Sequence, residues 1–66
     1  MLQYAVTLKG GEWCLFRNGD ILMRGMSRSR AVERAEDLAA EAREAGAEVE
    51  LLLQDYFGLL RRRRLP

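Results

Sequence analysis

The spacing of apolar residues first changes along this chain at Ser27. Before it, apolar side chains recur at every second position; after it, they recur about every 3.6 residues. A chain with that order must make strands first and a helix second. Residues 3–8 read as a strand, with Tyr4, Val6 and Leu8 on one face and Ala5 and Thr7 on the other. Lys9-Gly10-Gly11-Glu12 turns the chain into residues 13–17, where Trp13 and Leu15 share one face and Cys14 and Phe16 the other. Asn18-Gly19 follows at once. It is the strongest short hairpin signal, because a type I′ turn needs positive φ at both central residues. Residues 20–26 are then a third strand, with Ile21 and Met23 alternating against Leu22 and Arg24.

From Ser27 to Ala45 the apolar stripe is Ala31, Val32, Ala35, Leu38, Ala39, Ala42 and Ala45. Ser27 or Ser29 can cap its start, since a serine oxygen accepts from the free N–H groups of a first helical turn. Gly46 ends it. Most of the stripe is alanine, which lets a helix axis lie close to a sheet. Residues 47–54 are a fourth strand, with Val49, Leu51 and Leu53 in phase and Leu52 on the opposite side. Asp55-Tyr56-Phe57-Gly58 turns the chain, and a fifth strand starts at Leu59 and runs into four arginines. The pattern predicts a single α+β domain over residues 1–66, in the order β-β-β-α-β-β. It comprises a three-stranded antiparallel meander, one amphipathic helix packed on one face of the sheet, and a β-hairpin. Arg61–Pro66 reads as a basic tail free to be flexible, and the strand order is left open.

Size limits what this chain can do alone. At 66 residues it buries little apolar surface, and domains this small commonly add disulfides, a metal or a partner subunit. Cys14 is the only cysteine and there is no histidine, so an intrachain disulfide and a His- or paired-Cys zinc site are both excluded. No cofactor is expected. Hydrophobic residues make up 48% and charged residues 32%, a globular balance and not a disordered one. No apolar run approaches the ~18 to 20 residues that span a bilayer, and the start lacks a signal-peptide pattern. A cytoplasmic protein with no membrane partner is the expectation.

Both phases of the strands carry apolar residues. Tyr4, Val6, Leu8, Trp13, Leu15, Ile21 and Met23 make one face; Phe16, Leu22, Met26 and Leu52 fall on the alternate positions. One helix covers one face, and an uncovered apolar patch marks an association site. Phe16, Leu22, Met26 and Leu52 are therefore the expected association face of a homodimer, through sheet faces or an edge strand; the alternative is that Phe16 and Leu22 are scattered surface residues, which are common.

Little in the chain points to catalysis. Nucleophilic chemistry needs a nucleophile beside an oriented base, and the usual base is missing. Glu33, Asp37 and Glu41 lie one helical turn apart, on a face where such carboxylates are ordinarily solvated charge. Cys14, between Trp13 and Leu15, reads as a small buried hydrophobe. The glycines form turns and no phosphate-binding loop.

The remaining feature is Arg61, Arg62, Arg63 and Arg64, which supply four of the eleven basic residues in a chain of net charge +1. Such a run has three readings: a solvated end, a clamp on the protein's own acidic surface, or a contact for nucleic-acid phosphates. A target within the protein exists, since residues 27–50 hold seven acids and four arginines. The near-neutral balance of the whole chain weighs against nucleic acid.

Three stretches carry a resemblance. Gly11-Glu12-Trp13-Cys14-Leu15 is a Gly-x-Trp-hydrophobic segment after the first turn. Ser27, Ala31, Val32, Ala35, Leu38 and Ala39 give the helix opening, and Gly58-Leu59-Leu60 follows the last turn. In their order and spacing the chain resembles a family of small bacterial domains of unknown function with this same element order. It departs from the pattern at Arg30, where a glutamate often completes a capping box. It departs also at Gln54, where histidine is frequent, and at Phe57, where a polar turn residue is usual. The resemblance implies a fold and carries no activity. The expected function is a non-enzymatic protein–protein interaction or self-association module with an unknown protein partner. The alternative is an accessory nucleic-acid-binding protein that uses the arginine run.

Overall fold

A computed structural model describes residues 1–65; Pro66, the last residue of the basic tail, lies outside them. The elements in chain order are β1 (Leu2–Lys9), β2 (Glu12–Arg17), β3 (Asp20–Met26), α1 (Arg28–Glu44), β4 (Val49–Gln54) and β5 (Leu60–Arg63). All five strands join one sheet in the order β3-β2-β1-β4-β5. The fold is of the α+β class.

Local chemistry sets the turns. Arg17 pairs with Asp20 across a two-residue loop in which Asn18 has φ 49° and Gly19 has φ 87°. Those angles are the type I′ geometry whose twist matches the flanking strands. Asn18 also ties the loop to β1: its Oδ1 accepts from the Gln3 N–H at 2.8 Å, and its own N–H donates to the Gln3 carbonyl at 2.8 Å. The helix starts where Ser27 Oγ accepts from the Arg30 N–H at 3.3 Å. It ends where the Gly46 N–H donates to the Arg43 carbonyl at 2.9 Å and the Ala47 N–H to the Ala42 carbonyl at 3.0 Å. That pair of bonds is a Schellman motif, and it needs the left-handed φ of 91° that Gly46 takes without a Cβ clash.

Packing follows the two periods. Ala31, Ala35 and Ala39 are fully buried in one cluster with Tyr4, Val6, Leu15, Leu51 and Leu53. Trp13, Met26, Val32, Leu38 and Val49 are partly buried against it. Strand members of the cluster are neighbours across the ladders: Val6 lies between Leu15 and Leu53, and Tyr4 is beside Leu51.

The sheet differs from an all-antiparallel one. β1–β2, β2–β3 and β4–β5 are antiparallel, but β1 and β4 run parallel, with Leu2 opposite Val49 and Val6 opposite Leu53. α1 is the reason. It carries the chain back from the end of β3, past β2 and β1, so β4 starts at the same end of the sheet as β1.

Candidate interaction surfaces

Pleating assigns each strand residue to one of two faces, and the ladder register shows which residues line up. In the phase opposite the buried cluster, Ile21, Phe16, Ala5, Leu52 and Arg62 form one row across all five strands. Beside it, Leu60 pairs with Gln54, and Cys14 with Thr7. On the other side of the row the polar groups are tied together. Gln3 Nε2 donates to Glu50 Oε1 at 2.8 Å, and Arg62 forms an ion pair with Glu50 Oε2. The apolar row is thus bordered by a hydrogen-bonded polar one. Phe16, Ala5 and Leu52 are half-buried, and Ile21 is 41% exposed.

Of the four residues expected to make an association face, Phe16 and Leu52 share this row. Met26 does not, because it pairs with Trp13 and packs against the buried cluster. Leu22, 46% exposed, sits at a register shift between the Leu15–Met23 and Phe16–Ile21 pairs. A second shift separates Trp13–Met26 from Leu15–Met23. Each shift changes the parity of the strand, so simple alternation cannot carry a face assignment through β3. Ile21, placed by alternation with the core, belongs instead beside Phe16. The signals were a glycine at position 25 and the adjacent apolar residues from Ile21 to Met23.

The arginine run has a definite geometry. Arg61, Arg62 and Arg63 lie in β5, and alternation sends Arg61 and Arg63 to the side of the sheet opposite Arg62. Arg61 Nε is 3.1 Å from Asp55 Oδ2, and Arg63 Nη2 is 3.0 Å from Glu36 Oε2 on α1. With the Arg62–Glu50 pair, three guanidiniums hold carboxylates of the same chain. Arg64 has no carboxylate partner among the described residues. Arginine side chains in these pairs are 51 to 75% exposed, so each bridge is worth at most about 1 kcal/mol.

Asp55 organises the turn before β5. Its Oδ1 accepts from the Phe57 N–H at 2.9 Å and the Leu59 N–H at 3.0 Å, and its Oδ2 takes Arg61. The Leu59 backbone bond holds its carboxyl below the ordinary value of 3.8; desolvation opposes this, and the Arg61 and Phe57 bonds reinforce it. This turn presents Tyr56 and Phe57 to solvent, 80% and 92% exposed. Arg28 steadies the Tyr56 side. Its guanidinium lies 5.1 Å from the Tyr56 ring centre and 5.6 Å from that of Trp13, and its Nε donates to the Gln54 carbonyl at 3.1 Å. The two rings meet edge to face at 6.2 Å.

The residues weighed for catalysis are dispersed. Ser27 is engaged as the helix cap, and Cys14 is buried with Sγ 3.7 Å from the Glu12 carbonyl. Glu33, Asp37 and Glu41 are exposed on α1. No helix of the described residues is long and apolar enough to cross a membrane. Comparison with known proteins finds no matching family model, no similar curated protein and no similar solved structure.

Proposed function

We propose that the protein is a non-enzymatic association module whose first partner is a second copy of itself. The observation that carries this reading is the row Ile21, Phe16, Ala5 and Leu52, which crosses four strands in the phase opposite the buried cluster. With the helix packed over one face, this second face is the apolar surface left to cover. Its layout, an apolar centre beside the bonded Gln3–Glu50–Arg62 group, resembles the core and rim of a protein interface. Two such faces pack as sheets about 10 Å apart. A five-stranded face about 24 Å wide and 17 Å long offers about 400 Å² per copy. The resulting interface, about 800 Å² in total, is about half of a standard one, the size of a weak, transient association.

Sedimentation equilibrium between about 1 and 300 µM tests this, with the native chain beside a variant carrying Phe16→Ser and Leu52→Ser. A monomer–dimer equilibrium that the variant loses supports the reading. A native protein that stays monomeric throughout overturns it. Phosphate binding by Arg61 to Arg64, the alternative, has less support, because carboxylates of the same chain offset three of the four charges, and the run then holds only a ligand that makes other contacts as well.

A further inference from the structure

β5 is one edge of the sheet, and its four residues, Leu60 to Arg63, are all exposed. Backbone geometry tells which of its polar groups are free. The Asp55 N–H donates to the Leu59 carbonyl at 2.9 Å, so Asp55 and Leu59 are a hydrogen-bonded pair. Antiparallel pairs alternate between bonded and non-bonded, which makes Leu53–Arg61 and Leu51–Arg63 the next bonded pairs. The N–H and C=O groups of Leu60 and Arg62 therefore point outward, with no strand beyond them among the described residues.

An open edge accepts an added strand, and its side chains choose which one. A second β5 laid alongside would set arginine against arginine, and like charges directly opposite are destabilising. An acidic strand meets the reverse condition. Each arginine of β5 shows one ion-pair contact to its own carboxylate, through Arg61 Nε, Arg62 Nη2 or Arg63 Nη2. A guanidinium has five N–H donors, so each keeps donors turned to solvent. Leu60, 51% exposed, adds an apolar contact at the start of the strand.

From the free backbone groups of Leu60 and Arg62 beside solvent-facing guanidiniums, we infer that β5 is a docking edge for an extended acidic segment of a partner protein. In an incoming strand that alternates acidic and apolar residues, the acids face Arg61 and Arg63 and the apolar side chains run beside Leu60. This site uses a strand edge, whereas self-association uses the apolar face, so either can fail without the other.

The test is fluorescence anisotropy with the full chain and a labelled eight-residue peptide alternating glutamate with valine. Three comparisons isolate the chemistry: the same peptide N-methylated at alternate residues, its lysine–valine counterpart, and a variant carrying Arg61→Glu with Arg63→Glu. Trp13 is the only tryptophan, and its emission checks that the variant is folded. Saturable binding of the glutamate peptide is expected, about tenfold weaker after N-methylation, with the preference reversed toward lysine in the charge-swapped variant. Equal binding of the N-methylated peptide would reduce the edge to a diffuse positive surface and overturn the proposal. So would a charge-swapped variant that still prefers glutamate, or tighter binding to a labelled DNA duplex than to the peptide.

Discussion

Asp55 makes three bonds with one carboxylate: it accepts from the Phe57 and Leu59 N–H groups of the turn and from Arg61, the first arginine of β5. All three need the charged form, which is why its pKa is lowered. The sign of the pH effect follows. A folded pKa below the unfolded one means that the contribution is present above the unfolded value and is lost as pH falls through the folded value. Thermal melts of the native chain and of Asp55→Asn should therefore differ by a constant amount at neutral pH, and the gap should close as pH falls below 3.8. A gap that persists unchanged in strong acid would mean that the charge is irrelevant to the turn. Asp55 was legible as a turn residue, but its bond to Arg61 was not, because that bond depends on how β5 pairs with β4. For the Arg62–Glu50 and Arg63–Glu36 pairs the sequence offered a clamp on the acids of residues 27–50 as one reading, but not which acid meets which arginine, since the partners lie 12 and 27 positions away.

Elements were more legible than contacts, because their causes are local. Asn18-Gly19 specifies its turn through two residues, and Ser27 and Gly46 bound the helix through hydrogen bonds that reach no further than a few positions. Alternation failed in β3, where the register shifts moved Ile21 away from the core phase and Met26 toward it. The parallel pairing of β1 with β4 left no local trace either, since the two strands are separated by the meander and the whole helix. The alanine stripe makes a prediction at this scale. Ala35 has no exposed surface and lies where the helix meets the sheet. Ala35→Leu should force the helix outward and destabilise the fold by about 1 to 3 kcal/mol, measured by urea denaturation. No loss of stability would mean that the helix sits less closely than its alanines require.

As a whole, the molecule is a mixed sheet with one irregular edge, β3, and one charged edge, β5. Its own carboxylates partly cancel the arginine run, so a general polyanion should find little net attraction. A labelled DNA duplex at near-physiological salt is expected to give no anisotropy change with either the native chain or a variant with Arg61 to Arg64 all changed to alanine. Binding that weakens steeply with salt and vanishes in the variant would reinstate phosphate recognition. The position of β1 has a further consequence for how the molecule is made. It is the central strand of the sheet and precedes β4, its other neighbour, by the whole of β2, β3 and α1. Until β4 emerges, one flank of this middle strand has no backbone partner and the helix alanines lack Leu51 and Leu53 to rest on. The nascent chain therefore cannot complete its core piecemeal. β4 completes the core, and a product stopped short of Val49 would carry an unpaired strand into a crowded cell.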